Sequence, residues 1–318
     1  MLVTSDKKMP ICITGGNGFI GQYLVRQLLQ EGYSSISIAD RNLPPKEIVS
    51  KINFIKGNFS DKKVLTKILS PGCVVIHLAG TSNQATAEND PIADAETSII
   101  GTLKLLEAAA GRKISKFVFM SSAPAIYGHA RKLPVATDAL PQPRSVYGAM
   151  KLSLEHYVSH YAERYGFSYV ILRSANAYGP GQFTMTHGVV SKFAYKILTG
   201  APVEIWGPPN MKRDFIFVED VARAIAASIK PKVKNVTLNV ASGRKTTLGE
   251  LVRNVEKASG IKARVEVKEM RLIDVPDLYF SIKETTRLLR WKPQTSLAYG
   301  VEQTVNWIRK SVQNGMGK

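Results

Sequence analysis

The chemistry legible in this chain of 318 residues starts at Ser145-Val-Tyr-Gly-Ala-Met-Lys151, which sets a phenol and an amine four residues apart. On a helix that spacing puts Tyr147 and Lys151 on one face. A nearby cation favours the phenolate, so the pair predicts a tyrosine pKa below its ordinary value of about 10, and with it a general acid/base. The run Leu140-Pro-Gln-Pro143 precedes the pair. Apolar residues at Met150, Leu154, Tyr157, Val158, Tyr161 and Tyr165 then recur at helical spacing until Gly166. Tyr-x-x-x-Lys also decorates solvated helices, so the surrounding elements must decide what the pair does.

Those elements alternate. Pro10-Ile-Cys-Ile-Thr14 reads as a strand, Gly15-Gly-Asn-Gly18-Phe-Ile-Gly21 as a turn, and Ile20, Tyr23, Leu24 and Leu28 as one helical face closed by Gly32. Such a turn brings backbone amides and a helix N-terminus to a pyrophosphate, with Gly15 and Gly18 at the anion and Gly21 in helix–strand packing. The next strand, Ser35 to Ala39, ends at Asp40, nineteen residues past Gly21. A carboxylate there accepts adenine-ribose hydroxyls and repels a 2′-phosphate, which favours NAD over NADP; Arg41 weakens that preference without reversing it. Strands at 52–56 and 73–77 run into Gly57-Asn-Phe-Ser-Asp61 and Leu78-Ala-Gly80, the strand ends where open sheets bind ligands. Pro91 opens a helix with Ile92, Ala95, Ile99, Leu103, Leu106 and Ala109 on one face, stopping at Gly111. A fifth strand, 116–120, leads to Ser121-Ser122, and a sixth spans 168–172.

The alternation predicts an α/β fold with a doubly wound parallel Rossmann sheet. Residues 1–176 would form the NAD-binding domain and 177–318 a smaller α/β substrate-binding domain, with parts of 215–240 returning to the first.

The chain carries 43 basic and 25 acidic residues, a net charge of +18. The excess suits a phosphorylated ligand, yet the basic residues are scattered and no helix-turn-helix or RNA-recognition pattern accompanies them. Nucleic acid is therefore not the expected partner. Cys12 and Cys73 fall in buried strands and read as small core hydrophobes; the five histidines show no metal-ligand spacing, so no metal is expected. A polar start and the lack of any window of about 18 apolar residues point to a cytoplasmic enzyme without a membrane span.

Taken together, these stretches resemble the extended short-chain dehydrogenase/reductases, and among them the NAD-dependent nucleotide-sugar epimerase/dehydratase family, over nearly the whole chain. The resemblance rests on Thr14-Gly-Gly-Asn-Gly-Phe-Ile-Gly21, Asp40, His77-Leu-Ala-Gly80, Gly101-Thr-Leu-Lys-Leu-Leu-Glu-Ala108, Ser121-Ser122, Tyr147/Lys151, Leu172-Arg173 with Asn176, Tyr178-Gly-Pro180, Arg213-Asp-Phe-Ile and Leu288-Leu-Arg-Trp-Lys-Pro293. It implies that Gly15, Gly18, Phe19, Ile20, Asp40, Arg41, Asn58, Phe59, Leu78, Ala79, Gly80 and Ser121 line the dinucleotide. It makes Tyr147 the acid/base, places Lys151 on the nicotinamide ribose, and puts Asn176, Arg213 and Arg271 on a nucleotide diphosphate sugar. For Arg213, an ion pair with its neighbour Asp214 is the plainer alternative. A homodimer through the Pro91 and Tyr147 helices is also implied.

Three positions depart from the family pattern. The usual catalytic hydroxyl, four residues before Tyr127, is Ala123 here; either Ser122 supplies it or it is missing. Ser98 and Asn58 replace a common Asn and a common Asp. Ala123-Pro124-Ala125 also lacks the extra acid and base that dehydrating or decarboxylating relatives carry, which leaves C4 epimerisation, in the manner of UDP-glucose 4-epimerase. An NAD(P)-dependent oxidoreductase or 4-keto-sugar reductase, a dehydratase of the same family, and a non-catalytic NAD- or RNA-binding member of the fold are the alternatives. Leu278 lies near the place where some 4-epimerases set their tolerance for an N-acetyl group.

Overall fold

Apolar residues that alternate along the strands send one set of side chains to each side of a single sheet. In the computed structural model, residues 7–80, 84–182, 188–270, 275 and 277–315 are described. Among them, seven parallel strands lie in the order Val236–Val240, Ser168–Ser174, Lys116–Ser122, Val74–His77, Ile11–Thr14, Ile36–Asp40, Asn53–Lys56. Ile11, Ile13, Val74 and Ile76 share a core with helices Phe19–Gln30 and Val218–Ser228. Cys12, Val75, Phe117 and Phe119 face helices Gly101–Gly111 and Val146–Tyr165 on the other side. The sheet is doubly wound, as the alternation predicts. Its order reverses between Ile11–Thr14 and Val74–His77, and that switch point opens the crevice in which such folds bind ligands.

Beyond residue 176 the chain builds short ladders. Phe215–Phe217 pairs with Asn176–Tyr178, Lys212–Arg213 with Thr246–Thr247, and Val203–Trp206 with Val265–Lys268. A third core joins Tyr178, Phe193 and Phe217 to Leu251, Val255, Val301 and Val305, from helices Val189–Leu198, Leu248–Ser259 and Leu297–Gln313. Among the described residues no helix is long and apolar enough to cross a membrane. Cys12 and Cys73 are free thiols, both buried.

The Pro91 helix departs from its expected face. It is three pieces: Pro91–Ala95, a π-helical turn Glu96–Ile100, and Gly101–Gly111. The π turn takes in an extra residue and rotates what precedes it. Asp94, Ser98, Gly101, Thr102, Leu105, Leu106 and Ala109 are buried, while Ile92 is 73% exposed. In the Tyr147 helix, Tyr157 and Tyr165 likewise point outward, and Gly148, Met150, Leu154, Glu155, Val158 and Ala162 form the buried face.

One buried cation fastens a layer to the sheet. The Lys116 ammonium donates to the carbonyls of Ser228 (3.3 Å), Ile229 (3.2 Å), Lys230 (2.6 Å) and Val233 (2.6 Å), around the end of helix Val218–Ser228. Burial pulls its pKa down to about 8. Lys116→Met strands these carbonyls and should lower the unfolding free energy by about 2–3 kcal/mol in a denaturant titration. Because the folded pKa is depressed from 10.5, the wild type should gain on the variant as pH rises from about 8 toward 10.5.

Candidate active site

Thr14 ends the first strand, and Gly15 turns away at φ +76°, where other residues are strained. A Cβ on Gly15 would sit 2.6 Å from the Ala79 nitrogen, so two strand exits meet there backbone to backbone. One on Gly21 would collide with the Gly15 carbonyl, which places Gly21 in the helix–turn packing expected of it. Gly18 differs: a Cβ there would meet only the Gly15 carbonyl, at 3.3 Å. It precedes helix Phe19–Gln30, whose first turn has no side-chain cap. Free amides and the positive end of the helix favour an anion at that point.

Asp40 closes the second strand. Its Oδ2 accepts from the Asn17 amide (2.9 Å) and its Oδ1 from the Asn42 amide (3.0 Å), leaving lone pairs on both oxygens. Gly15, Gly18, Asp40, Arg41, Asn58, Phe59, Leu78, Ala79 and Gly80 line one groove, with Thr97, which sequence reasoning missed. Asn58 Oδ1 accepts from the Ser60 amide (3.1 Å) and so shapes the loop. Phe19 lines neither this groove nor the adjoining cleft; its ring sits edge-on to Tyr23. A glycine cradle, an uncapped helix start and a carboxylate at the second strand end together fit NAD.

The groove continues into a cleft lined by Ile20, His77, Ser98, Thr102, Ser121, Ser122, Tyr147 and Lys151. Ser145 starts the Tyr147 helix, its Oγ accepting from the Gly148 amide (3.1 Å). Glu88 Oε1 accepts from the Val146 amide (2.8 Å). Gly148 must lack a side chain, since a Cβ would run into the Ala125 carbonyl. That contact seats the helix on the turn Ala123–Tyr127 and brings Tyr147 into one cleft with Ser122, whose hydroxyl favours the phenolate. Ala123 is fully buried in the core. The hydroxyl acting on Tyr147 is therefore that of Ser122, while Ser121 Oγ, on the same cleft, is buried without a hydrogen-bond partner among the described residues.

Lys151 does not act on Tyr147 as the spacing predicts. Its ammonium donates to the Met120 carbonyl (3.1 Å), 4.9 Å from the Phe119 ring centroid and 5.8 Å from that of Tyr147. Burial first, and the Asp94 charge second, push the Tyr147 pKa up to about 12, against the lowering influence of the Ser122 hydroxyl. Burial also pulls Lys151 down to about 8, opposed by Glu155 and Asp94. The expected depression of the phenol is thus replaced by a rise, because desolvation of the phenolate dominates and Lys151 turns its charge to the Met120 carbonyl.

His77 holds the cleft's floor. Its Nδ1 lies 2.6 Å from Thr14 Oγ1 and its Nε2 3.0 Å from Thr102 Oγ1, which itself donates to the Ser98 carbonyl (2.6 Å). Thr102 therefore accepts from Nε2–H, and Nδ1 accepts from Thr14. Burial, aided by Lys151, brings the imidazole pKa to about 3, so the ring stays neutral. Ser98 thus contributes its backbone carbonyl to this floor.

Asn176 and Arg213 border a second cavity of about 480 Å³ with Lys192, Phe193, Tyr195 and Trp206. Asp214 is not a surface partner of Arg213: it is fully buried, accepting from Ser242 N (2.8 Å), Ser242 Oγ (2.7 Å) and Gly243 N (3.1 Å). Arg213 Nη1 donates to the Lys212 carbonyl (3.0 Å). Arg271 lies outside the described residues. Leu278 is buried in the first core and pairs with the Lys212 carbonyl (2.9 Å). Sequence reasoning also missed Asp94 and Glu155; the latter lies four residues past Lys151, a spacing that could have revealed it.

A model of the NAD dependent epimerase/dehydratase family matches residues 11–241. A putative UDP-glucose 4-epimerase of Methanocaldococcus jannaschii is 33% identical over 304 residues, covering 95% of this chain and 99% of that protein. The crystal structure of UDP-glucose 4-epimerase with UDP-glucose from Thermotoga maritima is similar at a TM-score of 0.88 and 33% identity, covering 96% of this chain and all of that one. The UDP-glucose 4-epimerase of Thermus thermophilus in complex with NAD gives 0.84 and 31%, covering 95% and 99%.

Two glycine variants separate packing from binding. Gly15→Ala should destabilise the protein by about 1–3 kcal/mol and abolish NAD binding, by thermal melting and calorimetry. Gly18→Ala should melt within a few degrees of wild type yet bind NAD more weakly. Equal melting of all three proteins would contradict the geometry.

Proposed function

This chain belongs to the NAD dependent epimerase/dehydratase family, and we propose that within it the protein inverts C4 of a nucleotide diphosphate sugar, a UDP-sugar foremost. The observation that carries the proposal is that Ser122, Tyr147 and Lys151 line one cleft, with Ser122 favouring the phenolate, while the following Ala123-Pro124-Ala125 offers no further acid or base. Dehydration would need such a group. Inversion needs only one proton to leave the 4-hydroxyl and return.

Bound NAD supplies a reversible hydride acceptor, so that a carbinol can pass through a ketone and come back in either configuration. The chain's own residues do the rest. Gly15, Gly18 and Asp40 would hold the dinucleotide, and Lys151, whose ammonium donates to the Met120 carbonyl in the same cleft, would offer a further donor to the nicotinamide ribose. Tyr147, in the phenolate form that Ser122 favours, takes the 4-hydroxyl proton and gives it back to the opposite alcohol. Ser122 donates to the oxygen at C4 and holds it against Tyr147, which aligns the reacting atoms. Arg213, with a planar fork suited to phosphate, grips the diphosphate while the keto sugar turns over. Asn176 and the aromatic wall of the second cavity hold the nucleotide.

The test is to follow UDP-glucose by proton NMR in the presence of NAD. UDP-galactose should appear without net formation of reduced nicotinamide. Tyr147→Phe should keep NAD affinity and lose about 100-fold or more of turnover. Reduced nicotinamide growing in step with product would instead favour the oxidoreductase alternative, and a Tyr147→Phe protein as fast as wild type would refute the mechanism.

A further inference from the structure

Four residues before Ser98, which lines the cleft with Tyr147 and Lys151, stands a carboxylate that does not use all of its oxygens. Asp94 is only 8% exposed, and its Oδ2 is buried with no hydrogen-bond partner among the described residues. It sits near the end of the short helix Pro91–Ala95; the segments on either side, Gln84–Asn89 and Glu96–Ile100, both pack on Val146–Tyr165. The π turn at Glu96–Ile100 is what rotates Asp94 inward, where the sequence pattern placed Ile92. An unpartnered buried carboxylate oxygen is costly and calls for an explanation at a functional site.

We propose that Asp94 is a positioning residue whose charge sets the pH window in which Tyr147 and Lys151 exchange protons with substrate. The proposal rests on the epimerase reading above. Asp94 acts on both partners, raising the pKa of Tyr147 and of Lys151. The other groups facing the pair are already committed. Glu155 supports Lys151 but is held by Arg173 at 2.6 Å. His77 is neutral, and Ser122 acts on Tyr147 in the opposite direction. Glu88 is exposed and takes the Val146 amide, Asp90 is exposed and caps its own turn through the Ala93 amide, and Glu96 is exposed. A buried charge near both groups moves them together: it delays loss of the phenol proton and keeps the ammonium charged to higher pH.

The sign of the effect is testable. Proton transfer needs Tyr147 able to release its proton and Lys151 charged. In Asp94→Asn, both limbs of the pH–rate profile of the NAD-loaded enzyme should move to lower pH, by roughly one unit. The variant would then outpace wild type on the acid side and fall behind on the alkaline side. Asp94→Glu, which keeps the charge, should leave the limbs in place, and melting curves of both variants report folding. A second readout needs no sugar: the tyrosinate absorbance of NAD-loaded protein, taken as the difference from the matching Tyr147→Phe protein, should titrate at lower pH in Asp94→Asn. A profile that only shrinks, with both limbs and the Tyr147 midpoint unmoved, overturns the proposal. A midpoint that moves in a protein that inverts no sugar supports the coupling and overturns the epimerase reading alone.

Discussion

Desolvation of a phenol and an amine, held four residues apart on one helix, is the constraint around which this molecule is built. Burial disfavours both charged forms: it drives Tyr147 up to about 12 and Lys151 down to about 8. Left alone, such a pair would settle as neutral phenol and neutral amine, useless for moving a proton. The neighbours work against that outcome. The Met120 carbonyl accepts from the Lys151 ammonium, Glu155 and Asp94 favour its charge, and Ser122 steadies the phenolate. In a medium of low polarity these few contacts count for more than they would in water.

Holding the pair out of water requires a rigid frame, and the frame is polar as well as apolar. Glu155, one turn beyond Lys151, takes Arg173 through both guanidinium Nε (3.0 and 3.1 Å) and Nη2 (2.6 Å). Arg173 lies 4.8 Å over the Tyr127 ring, and the Tyr127 hydroxyl donates to Asn239 Oδ1 (2.8 Å). Asn239 in turn donates to the Val135 carbonyl (3.1 Å) and accepts from Thr285 Oγ1 (2.6 Å). The helix of the pair, the strand Ser168–Ser174, the turn Ala123–Tyr127, the strand Val236–Val240 and Thr285 are thereby one network. A buried ion pair of this kind adds little net stability, but it fixes where the helix can sit. Two close backbone contacts finish the alignment, Gly15 on Ala79 and Gly148 on Ala125.

Much of this was legible in the sequence, for physical reasons. Strands of the main sheet announced themselves because they are buried on both faces and so read as apolar runs ending at glycines. Tyr147 and Lys151 could be placed together because helical spacing is local. The groove residues followed from the strand ends. What stayed hidden depends on contacts between segments distant in sequence. Ile92, Ala95 and Ile99 looked like a helix face, but a single π turn handed burial to Asp94 and Ser98. The phenol's pKa was misjudged because spacing shows a cation and cannot show how much water is lost. The displaced hydroxyl at Ser122 also needed the structure, since only packing reveals that Ala123 faces the core. Lys116, at the start of a strand, gave no hint that it would end up wrapped by carbonyls from residues 228–233.

The fate of the hydrogen on C4 tests the central claim most directly. If Tyr147 moves only the hydroxyl proton while the carbon-bound hydrogen leaves and returns within one closed cleft, UDP-glucose deuterated at C4 must give UDP-galactose that keeps its deuterium at C4. Mass spectrometry and NMR of the product in ordinary water decide the point. Retained label is the predicted result; label lost to solvent, or found in free reduced nicotinamide, would contradict the account.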